Sequence, residues 1–208
     1  MSAERTTHFS MIRGFHLADW LTLGNAACGM AALFIVMAYV ETKDPRHLLA
    51  ATALIPVALA FDVLDGRVAR SRRRHSPMGR ELDSLADIIS FGVAPAVIAY
   101  SAGMRGVWDA IVLVYFVGCG VSRLARYNVT AEALSMGADR VRYFEGTPIP
   151  SSIFLVAIIA ASACLGRVGD SLVLGAVHLG PWRLHPLTLL WALSGSLMIS
   201  KTIRIPKI

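Results

Sequence analysis

The chain has 208 residues, of which 55% are hydrophobic and 16% charged, and its mean hydropathy is +0.58. A soluble domain of this length would carry about 25% charged residues, so the composition excludes an ordinary soluble protein and indicates an integral membrane protein. The net charge of +6 alone would be compatible with nucleic-acid binding. However, the arginines flank apolar runs instead of alternating with aromatic residues, so we expect no nucleic-acid partner.

The order of polar and apolar segments predicts an all-α integral membrane fold in a single domain, residues 1–208. Residues 1–16 are polar to amphipathic and predict a helix that lies on the membrane surface. Six apolar segments follow and predict six transmembrane helices, since a span needs about 20 residues. A polar loop is expected over 129–146 and a small hairpin over 167–185. The predicted spans are approximately 20–40, 48–70, 79–104, 107–127, 146–166 and 186–202.

The positive charges predict the orientation of these spans. Six spans place both termini on one side, and most of the basic residues fall on that side. By the positive-inside rule, the termini and the segment 62–87 face the cytoplasm, which would be that of a prokaryote with the protein in its cytoplasmic membrane. The basic residues on this side are Arg5, Arg13, those within 67–80 and 123–142, Lys201, Arg204 and Lys207.

Four carboxylates lie in two pairs at the margins of the second and third predicted spans. Asp62 and Asp65 are three residues apart, and Asp83 and Asp87 are four apart, so each pair projects from one face of a helix. Ionised groups at membrane depth cost several kcal/mol unless they are paired or bind a metal. Oxygen ligands without a Cys or His cluster favour two hard divalent cations, Mg²⁺ or Mn²⁺ with Ca²⁺ also open, and a two-metal site suits phosphoryl transfer.

The residues between the two pairs favour a phosphate-binding site. Gly66, Ala69 and Gly79 leave room for a ligand, and Arg70 offers a fork of donors suited to phosphate oxygens. Salt bridges at helix ends would be the simpler explanation for one acidic pair. Four carboxylates with small residues placed between them favour the catalytic interpretation.

The pattern D-x2-D-G-x2-A-R-x8-G-x3-D-x3-D over residues 62–87 resembles the signature of the CDP-alcohol phosphatidyltransferases, with no departure in residue type or spacing. The resemblance implies six transmembrane helices, a homodimer, and transfer of a phosphatidyl group from a CDP-linked lipid to an alcohol with release of CMP. It also implies the site roles. Asp62, Asp65, Asp83 and Asp87 are metal ligands, Asp87 is the general base, and the nucleotide and its phosphates lie against Asp62, Gly66, Ala69, Arg70 and Gly79.

Segments outside the signature bear on the acceptor alcohol. TLGNAACG at 22–29, LDSLADIISFGVAPA at 82–96, RLARYN at 123–128 and FEGTPIPSS at 144–152 resemble the membrane-embedded phosphatidylserine synthases within that family. The implied substrates are CDP-diacylglycerol and L-serine, with membrane lipids around the chain and CMP as a product. Thr22 and Asn25 share one face of the first helix and are candidates to reach the nucleotide, although bridging to a neighbouring helix is equally open.

Four residues at the end of the fourth predicted span are candidates for serine binding. Arg123 and Arg126, three residues apart, are suited to hold a carboxylate, and Tyr127 and Asn128 would border the pocket. Positive-inside charge explains the two arginines equally well.

Three alternatives remain open from the sequence. The acceptor would be glycerol 3-phosphate or inositol phosphate if a basic cluster including Arg123, Arg126, Arg140 and Arg142 bound a second phosphate. The lipid donor would be an archaeal ether lipid instead of CDP-diacylglycerol in the second alternative. A divalent-metal transporter would use the same carboxylates, but transporters place their ligands near the midplane on broken helices and show internal repeats.

Overall fold

The structure is a computed structural model that describes residues 15–71, 77–135, 143–200 and 204–206. The predicted surface helix over 1–16 lies almost entirely outside the described residues. So do Arg140, Arg142 and the run of arginines at 72–74.

Within the described residues, four helices are long and apolar enough to cross a membrane, and the chain is an integral membrane protein. They are α1 (Leu17–Thr42), α2 (Pro45–Ser71), the third span Met78–Ala102, and the apolar part of α5, Val107–Thr130. The third span is compound. It consists of α3 (Pro77–Asp87), a π-helical turn (Ile88–Val93) and α4 (Ala94–Ala102).

Helix α5 extends over Val107–Ser135, so the polar loop predicted from residue 129 begins too early. The prediction was wrong because it ended the helix where the apolar run ends. Residues 129–135 contain two alanines, a leucine and a glutamate, which favour helix, and a helix that satisfies its own backbone continues readily into water.

The rest of the described chain is made of shorter elements. A 3₁₀ turn (Ile149–Ser152) leads into α6 (Ile153–Cys164), and another (Pro186–Thr188) leads into α7 (Leu189–Ile199). These apolar helices have 10 to 17 residues, shorter than a full span of about 20. The predicted hairpin is confirmed as β2 (Val177–Leu179) paired with β3 (Trp182–Leu184). The sequence did not predict that β1 (Tyr143–Glu145) pairs with β4 (Arg204–Pro206).

Small residues allow the helices to approach closely. The buried face of α1 follows residues 22, 25, 29, 32 and 36, at helical spacing. A Cβ on Gly24 would lie 3.1 Å from the Phe61 ring of α2, and one on Gly29 would lie 2.8 Å from the Cα of Ser90 in the π-helical turn. Side chains at these positions would push α1 away from both partners. Small residues commonly allow such close approach between membrane helices.

The hairpin end of the bundle is held by a buried carboxylate, Asp109 in the first turn of α5. Its side chain is 0% exposed and accepts hydrogen bonds from the backbone N–H groups of Gly106 and His185, at 2.9 and 2.8 Å. It also accepts from the Thr188 hydroxyl at 2.8 Å and contacts His185 Nδ1 at 2.6 Å. Asp109 thereby ties α5 to the segment between β3 and α7.

Candidate active site

Helices α2 and α3 bring three of the four predicted carboxylates together. Asp62 on α2 and Asp83 and Asp87 on α3 each place one oxygen within 4.8 Å of the oxygens of the other two. Asp87 is 7% exposed, and Asp62 and Asp83 are half-buried. The sequence supplies the one-face spacing within each helix, and the packing of α2 and α3 makes the two pairs converge.

Asp65 lies beside this cluster rather than within it. Its side chain is 5% exposed, and its Oδ2 accepts a 2.6 Å hydrogen bond from the hydroxyl of Thr22 on α1. The same hydroxyl lies 3.1 Å from the Ala18 carbonyl, one turn back in α1, but the bond to the carboxylate is the shorter. Thr22 therefore orients Asp65. Its hydroxyl bridges α1 to the neighbouring helix α2, which is one of the two roles that the sequence left open.

Asn25 connects α1 to the second carboxylate pair. Its Nδ2 donates to Asp87 Oδ1 at 3.2 Å, and its backbone carbonyl accepts a 2.8 Å bond from Ser90. Ser90 lies in the π-helical turn that follows Asp87 directly, and Gly29 leaves the space for this turn against α1. Turns of this kind re-aim side chains within a helix and are frequent at functional sites.

A cavity of about 250 Å³ opens beside the carboxylates. It brings together most of the residues that the sequence assigned to the nucleotide and its phosphates. A Cβ on Gly66 would meet the Arg70 guanidinium at 3.5 Å, an ordinary van der Waals contact, so these two residues lie side by side in the cavity wall. Its lining residues are Ala18, Asp19, Thr22, Asp65, Gly66, Ala69, Arg70, Gly79, Arg80, Asp83 and Tyr127.

Sequence reasoning missed Asp19, which lines this cavity and is 8% exposed. Its carboxylate accepts a 2.7 Å bond from the backbone N–H of His16 and so caps the start of α1. The signal was available, because Asp19 lies three residues before Thr22 and six before Asn25, on the same face of the helix.

The four acceptor candidates on α5 lie in different surroundings. Arg123 is half-buried and interacts electrostatically with Asp87 and Tyr127, whereas Tyr127 itself lines the cavity. Asn128 donates through Nδ2 to Ser84 Oγ at 3.0 Å and to Glu81 Oε2 at 3.2 Å, which ties α5 to α3. Arg126 is half-buried and is not among the residues that line the cavity.

The donor set fits a hard divalent cation. Among the described residues, the buried Oδ1 of Asp83 has no hydrogen-bond partner. A buried carboxylate oxygen without a partner is costly, and a cation held by Asp62, Asp83 and Asp87 would satisfy it. Such an arrangement is able to hold an anionic diphosphate in the cavity, beside a carboxylate that can accept a proton.

Comparison with known proteins agrees with this chemistry. The sequence profile of the CDP-alcohol phosphatidyltransferase family matches residues 15–193. A CDP-diacylglycerol–serine O-phosphatidyltransferase of Saccharomyces cerevisiae is 41% identical over 203 residues, 96% of this chain and 74% of that protein. One of the same name from Mycobacterium bovis is 41% identical over 73% of this chain and 51% of its own length.

An archaeal relative carries a different name. An archaetidylserine synthase of Methanothermobacter thermautotrophicus is 33% identical over 77% of this chain and 64% of its own. This chain thus spans between about half and three quarters of the length of these relatives. With a profile match over most of its residues and a signature of which three carboxylates meet beside a cavity, the chain belongs to the CDP-alcohol phosphatidyltransferase family.

Proposed function

We propose that this protein is a phosphatidylserine synthase, which transfers the phosphatidyl group of CDP-diacylglycerol to the hydroxyl of L-serine and releases CMP. The observation that carries the proposal is the meeting of Asp62, Asp83 and Asp87 beside the cavity of Gly66, Ala69 and Arg70. The acceptor is taken from the serine-transferring relatives, one of which matches 96% of the chain at 41% identity.

The proposed nucleotide site is the 250 Å³ cavity. Arg70 binds diphosphate oxygens, because a guanidinium fork offers two parallel donors. Gly66, Ala69 and Gly79 leave room for the nucleotide, while Thr22 and Asn25 hold Asp65 and Asp87 in orientation from α1. Two divalent cations, Mg²⁺ or Mn²⁺ with Ca²⁺ also open, would be held by Asp62, Asp65, Asp83 and Asp87. When bound, they neutralise charge on the diphosphate.

Asp87 is the proposed general base. A serine hydroxyl is a weak nucleophile at neutral pH, so a carboxylate that takes its proton as the new bond forms accelerates attack. The hydroxyl oxygen attacks the phosphorus that bears the diacylglycerol, the bond from that phosphorus to the CMP oxygen breaks, and the hydroxyl proton passes to Asp87. Asp87 is only 7% exposed, which limits the access of water to this carboxylate.

Arg123 is the strongest candidate for the serine carboxylate. It lies on α5 within electrostatic range of Asp87, so a serine held by its carboxylate at Arg123 would present its hydroxyl toward the base. Tyr127 would border the same space from the cavity wall, while Arg126 remains a candidate. Asn128, through its bonds to Ser84 and Glu81, would hold α5 in place against α3.

Release of CMP by the purified protein tests the proposal. CDP-diacylglycerol and Mg²⁺ or Mn²⁺ are supplied with L-serine, glycerol 3-phosphate or inositol phosphate in separate reactions, and a reaction without acceptor measures hydrolysis. We expect metal-dependent CMP release with serine and the background rate with the others. A parallel series with a CDP-linked archaeal ether lipid tests the donor. Release with another acceptor would overturn the serine assignment.

We also infer that α6 and α7, together with their 3₁₀ turns, complete six spans and that the carboxylate end faces the cytoplasm of a prokaryotic cell. Cys164, exposed at the end of α6, lies at the hairpin end and would then face outward. A membrane-impermeant maleimide should label it on intact cells. A Cys164→Ser variant that also carries Ser71→Cys, at the carboxylate end of α2, should stay unlabelled until the cells are lysed, and the reverse pattern would invert the topology.

A homodimer, as the family resemblance implies, remains part of the proposal. Light scattering of the purified protein in detergent, corrected for the bound detergent, should give a mass of two chains. A mass of one chain with full turnover would remove the dimer from the functional unit.

A further inference from the structure

A second and larger cavity, of about 560 Å³, lies at the hairpin end of the bundle. It is formed by the end of α1, the loop between α4 and α5, and the segment from α6 to the hairpin. Nothing in the proposed reaction uses it. It is lined by Tyr39, Lys43, Ser101, Gly103, Arg105, Gly106, Val107, Val168, Gly169, Asp170, Pro181, Trp182, Arg183 and His185.

This cavity is far from the carboxylates. Thr22 lines the first cavity and Tyr39 the second, and both lie on α1. Their 17-residue separation corresponds to about 26 Å at the rise of an α-helix, nearly the thickness of the hydrocarbon core. The two cavities therefore open at opposite faces of the membrane, and one substrate cannot occupy both.

The charges around the second cavity are mostly positive. Lys43, Arg105 and Arg183 line it, against the single carboxylate of Asp170. Arg183 Nη1 lies 3.4 Å from Asp170 Oδ1, but both side chains are exposed, at 57% and 98%, so this ion pair is weak. Lys43 and Arg105 lie about 6 Å above the rings of Tyr39 and Tyr100. These contacts orient the two cations without cancelling their charge.

The walls of the cavity are firmly packed. A Cβ on Gly106 would collide with the Arg183 carbonyl, and one on Gly103, whose φ is +146°, would lie 2.7 Å from the Gly169 carbonyl. Beneath them, Asp109 fixes the backbone of Gly106 and His185. The backbones of the loops that carry Arg105 and Arg183 are thus held against each other, which keeps the two arginines on the same cavity.

The aromatic residues place the cavity at the level of lipid headgroups. Trp108 and Trp182 pack edge to face with their ring centroids 5.4 Å apart, and Trp108 Nε1 donates to the Leu179 carbonyl at 3.2 Å. Both are partly exposed. Tryptophans of this kind concentrate where the hydrocarbon core meets the headgroups.

We propose that this cavity binds a phosphate group, with Lys43, Arg105 and Arg183 as its cationic ligands. The chemistry is that of a phosphodiester or a free phosphate ion, since guanidinium forks and an ammonium together match phosphate oxygens. Its position at headgroup level favours a phospholipid of the leaflet opposite to the carboxylates, and its excess of positive charge favours an anionic one.

Native mass spectrometry of the full chain in detergent tests this, with added phosphatidylglycerol or phosphatidylcholine of the same acyl chains. The test variant is Arg105→Gln with Arg183→Gln. The matched control is Arg46→Gln with Arg167→Gln, which removes two exposed arginines from the same end outside the cavity. We expect the test variant to lose about tenfold in retention of phosphatidylglycerol and the control to match the wild type. Lys43→Gln, which leaves both loops intact, should give a smaller loss.

Inorganic phosphate, added alone, distinguishes the two sources of the bound phosphate group, a phospholipid and the free phosphate ion. If the lipid is the source, phosphatidylglycerol is retained over phosphatidylcholine and phosphate has no effect on the unfolding midpoint. If free phosphate is the source, it raises the midpoint of the wild type and control but not of the test variant, and the two lipids are retained equally. Equal behaviour of the test and control variants toward all three probes would overturn the proposal. CMP release with serine should be unchanged in every variant, which shows that each is folded.

Discussion

Two buried carboxylates at opposite ends of the bundle have very different surroundings. Asp109 is completely buried, and its oxygens meet four hydrogen-bonding groups of Gly106, His185 and Thr188 at 2.6 to 2.9 Å. Asp87 is buried almost as deeply, but it accepts a longer 3.2 Å bond from a neutral amide and lies within 4.8 Å of two other carboxylates. In the part of the chain that the structure describes, the buried Oδ1 of Asp83 has no partner.

The difference is between a carboxylate whose hydrogen-bond donors all come from the chain and one that we propose to act in the reaction. A buried charge is stable when neighbouring donors saturate it, and Asp109 meets this condition without any ligand. The cluster of Asp62, Asp83 and Asp87 combines like charges and leaves an oxygen of Asp83 unpaired, so a cation bound there, as we propose, would stabilise it. Substitutions at the two ends should therefore affect different quantities: folding at Asp109 and turnover at Asp87.

The largest expected effect is on turnover in Asp87→Asn. The amide cannot take the proton of the acceptor hydroxyl, so we expect CMP release with serine to fall by about 10²- to 10⁴-fold. The unfolding midpoint should stay the same or rise, because one of the clustered charges is removed. Asp170→Asn, at an almost fully exposed carboxylate, is the control. Wild-type turnover in Asp87→Asn would remove Asp87 as the base.

Asp109→Ala should mainly destabilise the fold. It leaves the buried donors of Gly106, His185 and Thr188 without an acceptor, and we expect a loss of about 3–5 kcal/mol in the free energy of unfolding. Chemical denaturation in detergent measures this, with Asp170→Ala as the exposed control at the same end. Turnover per folded molecule at low temperature should be close to the wild-type value. A stable variant without turnover would contradict the structural role of Asp109.

Divalent cations should stabilise the carboxylate end. Mg²⁺ at about 100 times its Kd is expected to raise the free energy of unfolding by about 2.7 kcal/mol, and a chelator should reverse the change. Asp83→Asn should abolish this response, whereas Asp109→Asn should retain it even if its midpoint is lower. An equal Mg²⁺ response in wild type and Asp83→Asn would argue against a metal at this cluster.

The smallest expected effect is at Thr22→Val, which keeps the side-chain shape but removes the donor to Asp65. We expect a loss of about tenfold in kcat/KM for CDP-diacylglycerol, since a hydrogen bond to a charged group contributes about 1.5–3 kcal/mol and the pocket can partly relax. Thr52→Val, a buried threonine whose hydroxyl bonds within α2, is the matched control. A loss of stability equal to that of the control, with unchanged kinetics, would make Thr22 purely structural.

Much of the site was predictable because its spacing matches the period of a helix. Asp62 with Asp65, and Asp83 with Asp87, each lie on one face of their helix by that rule alone. The same rule could have identified Asp19 ahead of Thr22 and Asn25. It could not identify the π-helical turn at Ile88–Val93, because the local sequence there reads as an uninterrupted apolar helix and the close approach of Ser90 to Gly29 is a tertiary contact.

The sequence by itself determined the membrane character, the family and the four signature carboxylates, because hydropathy and residue spacing are local properties of the chain. Only the tertiary structure decided which oxygens meet. It placed Asp65 on Thr22 rather than in the cluster of three, extended α5 to Ser135, and assembled the cationic cavity from loops separated by more than 60 residues. Those features depend on how helices pack against one another, and no local pattern encodes that packing.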